Sequence, residues 1–499
     1  MALTTVDVRS SLQVLGAILQ WLAVPLAVPV AVAIVYGESP TPYLLTVAGT
    51  LAVGTALSRL ERHRIHEREA FLTVALAWGA IAVVGAIPMY LEGTGVFASP
   101  VNALFEGMSG ITTTGATVVR DFEAHSQALL MWRQVLQWLG GLGVLLLATA
   151  VLSRLSVAGA QLMETESRTE DVTKLTPGIE QTAKLLVALY LALTAGAAAV
   201  LGLLGVVGVA PEMTAFDALA HAFTSIATAG FSPRAESVGA FSPAVQWAVT
   251  AFMVVGATNF VLIYALVRGE TDRLRESEEF RFYLAILAGG TAMLVGLLTV
   301  SSAVDAGVET TVRHAAFQTV SIVTTTGFAS TDFNTWSAAA KNVLFVGMFV
   351  GGMAGSTTCS IKTLRWVVVV KSFWRDLNVA AQPRSVRPVR LGGDVVDEDT
   401  IRDVYAYTLV ALVFFIVGTV LLVADGERAG RPITEFEALS AAASTFFNIG
   451  PAFGRAGPYG TYEGFARSSK LLMVLLMWVG RIEILPVLVM LTPTFWRSR

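Results

Sequence analysis

The chain has 499 residues, 54% of them hydrophobic and only 14% charged, with a mean hydropathy of +0.65. A water-soluble domain carries about 25% charged residues, so the composition excludes an ordinary soluble protein and argues for an integral membrane protein. A net charge of −3 gives no footing for a nucleic-acid binder, and a single cysteine, Cys359, excludes an internal disulfide.

The N-terminus MALTTVDVRSS has neither the positive start nor the cleavage site of a signal peptide. The first apolar run, 12–36, is therefore expected as a retained helix, bent at Pro25 and Pro29. Further long apolar runs follow at 42–58, 70–91, 128–152, 180–209, 243–267, 281–302, 338–371, 401–424 and 469–491. A bilayer core needs about 20 apolar residues per helix, so these read as about ten spans, and an even number puts both termini on one side. Arg59, Arg62, Arg64 and Arg68 follow the second run, and Arg268, Arg273, Arg275 and Arg281 follow the sixth. Lys362, Arg365, Lys371, Arg375, Arg384, Arg387, Arg390 and Arg402 surround the connection after the eighth, and Arg497 and Arg499 end the chain. Positive charge marks cytoplasmic loops, which places both termini inside. Lys362 and Arg365 read here as simple markers of a cytoplasmic helix end. His63 and His66 stand in the charged run RLERHRIHERE and read as a solvated face.

From the third run onward, four outer connections each hold a short apolar stretch, a small polar turn and then the next span. They are ALFEGMSGITTTGATV, ALAHAFTSIATAGFSP, AAFQTVSIVTTTGFAS and ALSAAASTFFNIGPAF, aligned on Gly115, Gly230, Gly327 and Gly450. Twelve residues before each glycine stands alanine (Ala103, Ala218, Ala315, Ala438), and six before it a hydroxyl (Ser109, Thr224, Ser321, Ser444). Four before it is a bulky apolar group (Ile111, Ile226, Val323, Phe446), and two before it Thr113, Thr228, Thr325 or Asn448. Four copies of one unit make an internal repeat. Non-helical backbone at membrane depth survives only when buried in protein or lining a watery cavity. The C-terminal end of a short helix favours a cation, and glycine lets the following carbonyls turn inward. Four such turns can replace the hydration shell of a monovalent cation.

These turns, together with GGMAGSTTCSIKTLR at 351–365 and WVGRIEILP at 478–486, resemble the Trk/Ktr/HKT superfamily of potassium transporters, and within it the Trk-type membrane subunit. The likeness covers nearly the whole chain. It implies an all-α membrane protein of about ten transmembrane helices, with four pseudo-symmetric helix–pore-helix–filter–helix repeats around one central pore and two extra N-terminal helices. The corresponding segments are an N-terminal helix pair at 1–58 and repeats at 59–155, 156–270, 271–392 and 393–499. The resemblance makes Thr113, Thr114, Gly115, Thr228, Ala229, Gly230, Thr325, Thr326, Gly327, Asn448, Ile449 and Gly450 the potassium-binding filter. It makes the third repeat's second helix a broken one, with Gly351, Gly352, Gly355, Ser356, Thr357 and Thr358 in an intramembrane gating loop. Cys359 and Ser360 stand where the family often has a glycine pair. Arg481 is expected in the pore just inside the filter, while Glu483 divides evenly between a pore and a structural role, and Glu106 has no partner visible in the sequence. The resemblance further implies a homodimer in the cell membrane and a cytoplasmic ring of nucleotide-binding regulatory subunits of the TrkA/KtrA kind. It implies no cofactor bound by this chain, potassium being the cargo.

Three alternatives stay open at this point. A sodium-conducting or cation–proton-coupled member of the superfamily would share the filter chemistry. A secondary transporter of an organic solute would show two inverted halves around broken helices, whereas these four units run in one orientation. A membrane-embedded enzyme would need convergent His, Cys or carboxylate groups within spans, which are nearly lacking. No HExxH, Walker loop or GxSxG occurs. Because serine at the first glycine accompanies sodium preference in plant relatives, Gly115→Ser is expected to weaken the preference for potassium over sodium. The ratio of the two uptakes in proteoliposomes measures it, and an unchanged ratio removes the first turn from the filter.

Overall fold

The computed structural model describes residues 6–61, 63, 65–150, 179–301, 307–385 and 387–497. Arg62, Arg64 and Arg499, and the expected 155/156 repeat boundary, lie outside the described residues. In chain order the helices are α1 (Val8–Leu22), α2 (Ala27–Tyr36), α3 (Thr41–Ser58), α4 (Glu67–Glu92), α5 (Pro100–Ile111), α6 (Gln127–Ala150) and α7 (Ile179–Val206). Then come α8 (Ala215–Ile226), α9 (Pro243–Gly256), α10 (Phe260–Val267), α11 (Thr271–Glu276), α12 (Glu278–Ser301), α13 (Gly307–Val323), α14 (Ala338–Gly347) and α15 (Thr363–Ala381). The last are α16 (Glu398–Arg428), α17 (Glu435–Phe446), α18 (Arg467–Arg481), α19 (Ile484–Leu491) and α20 (Pro493–Trp496). A two-stranded hairpin, β1 (Arg390–Leu391) and β2 (Asp394–Val395), pairs antiparallel across Gly392 and Gly393. Both glycines have positive φ, as a tight hairpin turn requires.

Among the described residues, seven helical segments are long and apolar enough to cross a membrane. The first is α1 with α2, interrupted by a turn at residues 23–26 beside Pro25. Asp7 starts α1 by accepting the N–H groups of Arg9 and Ser10. Its carboxyl is held down to about 2, chiefly by the Ser10 hydroxyl.

Three of the later apolar runs are helices in pieces, one of them as expected. The run 243–267 breaks between α9 and α10 with a 107° bend. Here the Asn259 side chain accepts from the N–H groups of Val261 and Leu262, starting a new helix in place of the old one. The helix hydrogen bonds lost at the bend are replaced from the 351–362 segment, where Gly355 O accepts from Phe260 N–H and Ala257 O accepts from Met353 N–H. The run 338–371 is interrupted between α14 and α15, as the resemblance implied. The run 469–491 breaks after Arg481, where Glu483 takes φ 57° at the N-cap position of α19. Pro486 explains that break, because in a continuous helix its ring would meet the carbonyl of Ile482, whereas in the first turn of a new helix it is tolerated.

The contacts divide the chain into two compact units, one of Met1–Gly140, Ala229–Ser237 and Phe415–Arg499, the other of Gly141–Thr228 and Val238–Phe414. In the first, α1 crosses α3 through Gly16 and Gly54, where a Cβ on Gly16 would lie 2.7 Å from Gly54 O. In the second, Leu201, Val249, Met253, Tyr283, Phe317 and Phe328 belong to one core cluster. A smaller cluster joins the hairpin residues Val389, Leu391 and Val396 to Leu364 and Val368 of α15 and Val404 of α16.

The four short stretches fold as α5, α8, α13 and α17, of 12, 12, 17 and 12 residues. Each ends four residues before its aligned glycine, at Ile111, Ile226, Val323 and Phe446. In three repeats the following long helix presses a glycine onto the carbonyl of that last residue. A Cβ on Gly140 would stand 2.1 Å from Ile111 O, on Gly256 2.8 Å from Ile226 O, and on Gly480 1.7 Å from Phe446 O. Only glycine admits this approach, so in these three repeats the second helix fixes where the short helix stops. Gly480→Ala is expected to cost about 3 kcal/mol, lowering the thermal unfolding midpoint in detergent. Gly289→Ala, at a helical position with open space around it, is expected to be neutral or stabilising by up to about 1 kcal/mol.

Candidate functional site

The backbone after each short helix follows one pattern. Thr114 N–H donates to Ser109 O, Thr326 N–H to Ser321 O and Ile449 N–H to Ser444 O, each at 2.9 Å. These bonds span five residues and use carbonyls that a helix end leaves free. They close these three turns tightly, and in all four turns the residue two before the glycine lies in the left-handed region: Thr113 at φ 54°, Thr228 at 47°, Thr325 at 52° and Asn448 at 56°. The glycines follow with φ 80°, 83°, 82° and 115°. The residue between keeps a negative φ. Alternating the hand of successive residues turns neighbouring carbonyls toward the same side, where an extended strand would alternate them. All of Thr113, Thr114, Thr228, Ala229, Thr325, Thr326, Asn448, Ile449 and Gly450 are buried, and Gly115, Gly230 and Gly327 are half-buried.

The threonine hydroxyls work behind this backbone. In the first turn Thr112 donates to Met108 O and bonds Thr114 at 2.7 Å. In the third, Thr324 donates to Val320 O and bonds Thr326 at 2.8 Å. The fourth turn substitutes Asn448, whose amide donates to Thr114 Oγ1 at 2.7 Å and to Met477 O at 3.0 Å. Asparagine accepts the left-handed conformation more readily than threonine, so the repeat's least regular sequence keeps the shared geometry, with Gly450 the most displaced in φ. Within the first unit, turns one, two and four touch: a Cβ on Gly115 would lie 2.4 Å from Ala229 O, and one on Gly450 2.9 Å from Thr114 O.

In the second unit, the segment 348–362 is tied directly to Thr228 and Thr325 of the second and third turns. Thr357 Oγ1 bonds Thr228 Oγ1 at 2.9 Å and donates to Gly256 O and Ile226 O. Cys359 N–H donates to Thr325 Oγ1 at 3.0 Å. Ser356 bonds Thr358 at 2.8 Å. Gly351 and Gly352 admit close neighbours, with Cβ positions 2.1 Å from Cys359 O and 2.8 Å from Ala257 O. Gly355 has φ 73°. Ser360, standing where the family often has glycine, nonetheless takes φ 62° and donates to Met348 O. Buried Glu279, from α12, accepts the N–H groups of Ala354 and Leu364 and the Thr363 hydroxyl. Lys362 and Arg365 are more than loop markers. Lys362 Nζ donates to Thr358 O and Oγ1, and the buried Arg365 guanidinium lies 3.8 Å from the Tyr407 ring centre.

Arg481 ends α18, is buried, and donates from Nη2 to Gly140 O at 2.8 Å. Glu483 is a backbone hinge between α18 and α19. Glu106 has the partner the sequence did not reveal. Its carboxylate meets Arg133 of α6 at 2.7 Å, both side chains being essentially fully buried. It also accepts the Thr117 hydroxyl at 2.8 Å and Val118 N–H at 2.9 Å. Beside this pair, burial first and then the Arg133 charge push His125 down to about 4, so it is neutral at pH 7. Gln137, one turn on from Arg133, also escaped sequence reasoning; the only signal was polar residues in a span, in RQVLQW.

A family model described as a cation transport protein, TrkH, matches residues 44–497. The chain is 34% identical to the Trk system potassium uptake protein TrkH of Halomonas elongata, over 99% of this chain and 100% of that one. It is 30% identical to the protein of the same name from Escherichia coli, over 98% and 99%. The crystal structure of the potassium transporter TrkH from Vibrio parahaemolyticus superposes with a TM-score of 0.87 at 31% identity, over 98% of this chain and 100% of that one.

Removing one member of a buried ion pair strands the other, at a cost of about 3–5 kcal/mol. Glu106→Ala is therefore expected to lower the thermal unfolding midpoint strongly, and Glu106→Ala with Arg133→Met to recover much of the loss.

Proposed function

This chain belongs to the TrkH family of cation transport proteins, and from that premise we propose that it takes up potassium across the cell membrane through a filter formed by its four turns. The family is one of transporters, not enzymes, and the chain makes or breaks no bond. The observation that carries the reading is the left-handed residue two before each glycine, repeated at Thr113, Thr228, Thr325 and Asn448. A backbone held in that conformation presents carbonyls that replace the hydration shell of potassium. The C-terminal ends of α5, α8, α13 and α17 add partial negative charge where the ion loses water. The relatives named for potassium uptake support the choice of ion.

The segment 351–360 acts as the gate. Its bonds to Thr228 and Thr325 couple it to two of the filter turns, and Gly351, Gly352 and Gly355 let it rearrange. Arg481 supplies a fixed positive charge that hastens inward release by repelling a resting cation. The four repeats run as 59–155, 156–270, 271–392 and 393–499 behind a helix pair at 1–58. Both termini lie in the cytoplasm. The chain works as a homodimer whose basic inner loops dock nucleotide-binding regulatory subunits.

Uptake of potassium, rubidium and sodium by purified protein in liposomes tests the reading. Potassium and rubidium should enter in preference to sodium, and the reverse order makes the chain a sodium-conducting member. Arg481→Ala is expected to raise potassium flux. Flux and ion dependence unaltered by that change would mark Arg481 as a structural residue bound to Gly140.

A further inference from the structure

Gln137 lies on α6 one turn after Arg133, so the two share a helix face. Its side chain is fully buried. The amide donates to Ala229 O at 2.6 Å, and its oxygen accepts Phe231 N–H at 2.8 Å. The second bond fixes the orientation of the amide, because a backbone N–H can only be met by the oxygen. One side chain therefore clamps the peptide groups on both sides of Gly230. Arg133 extends the clamp, donating to Ser232 O at 3.3 Å and to Thr117 Oγ1 at 3.1 Å, with its guanidinium 4.1 Å from the centre of the Phe231 ring. Glu106, by accepting Val118 N–H, ties the same network to the strand leaving the first turn.

We infer that Gln137 is a positioning residue for ion selectivity, which sets the angle and stiffness of the Ala229 carbonyl in the second turn. This inference rests on the reading of the turns as a potassium filter. Selection between potassium and sodium depends on the number and field strength of carbonyl dipoles and on how far they can close in on a smaller ion. A carbonyl whose second lone pair is occupied by a buried amide has a fixed direction and a reduced field. Released from Gln137, Ala229 O turns freely and collapses onto sodium at less cost. The residue touches no ion and acts through the backbone it holds.

The test is the ratio of rubidium to sodium uptake by purified full-length protein in liposomes, together with thermal unfolding in detergent. Gln137→Met keeps the length and volume of the side chain and removes both hydrogen bonds. Gln137→Asn keeps the amide but withdraws it by one methylene. Both variants are expected to remain folded and to transport, with the uptake ratio reduced about tenfold, the scale of two lost hydrogen bonds. An unchanged ratio in either transporting variant overturns the inference. Failure of both variants to fold also overturns it, since Gln137 would then serve stability and not selectivity. If the unaltered protein shows no preference for rubidium, the filter reading falls and this inference with it. A selective wild type with unchanged variants overturns the positioning role alone.

Discussion

Threonine enters the left-handed region only against resistance, since its branched Cβ crowds the backbone there. Holding one residue so costs about 1–3 kcal/mol, and this chain does it at Thr113, Thr228 and Thr325, with Asn448 as the fourth. The rest of the structure can be read as the means of enforcing that conformation. The short helices stop at a shared position, and their last free carbonyls take the N–H of Thr114, Thr326 and Ile449. Threonine hydroxyls on either side brace the strand from behind. The strained residue lies inside that frame, where relaxing would break several bonds at once.

The long helices set the frame's dimensions. Gly140, Gly256 and Gly480 bring helix backbone onto the final carbonyls of α5, α8 and α17 at distances no side chain permits. Two of these glycines stand at or next to an interruption in their helix, after Gly256 and after Arg481. Gly140 makes the same approach from within an unbroken α6, so the close contact by itself does not dictate a break. In the second unit the interruption supplies free N–H and C=O groups for the 351–362 segment, so the break at Asn259 and the folding of that segment require each other.

Much of this was legible in the sequence because it repeats. Four aligned glycines with alanine, hydroxyl and bulky positions at fixed offsets gave the short helices and their ends. Contacts between residues outside the repeat were not legible. The Glu106–Arg133 pair joins residues on different helices with no periodic relation, and a hydropathy profile marks each charge without showing its partner. The bend in α9–α10 hid inside an apolar run, its only trace being the polar GATN stretch ending in the capping Asn259. Pro486 did announce the last break, but the apolar residues around it read as one span. Lys362 and Arg365 followed the charge pattern of a cytoplasmic loop, although Arg365 is buried against Tyr407. Charge rules locate such residues along the membrane normal and say nothing of what they touch.

Under the proposed function, the four left-handed turns hold a dehydrated potassium ion with backbone oxygen. Anomalous diffraction from crystals of this protein grown in rubidium would test it most directly. Anomalous density is expected within direct coordination distance of the carbonyls of Thr113, Thr228, Thr325 and Asn448, and of those that follow them. Ordered rubidium found only at other sites, with the turns bound to water or to nothing, would contradict it.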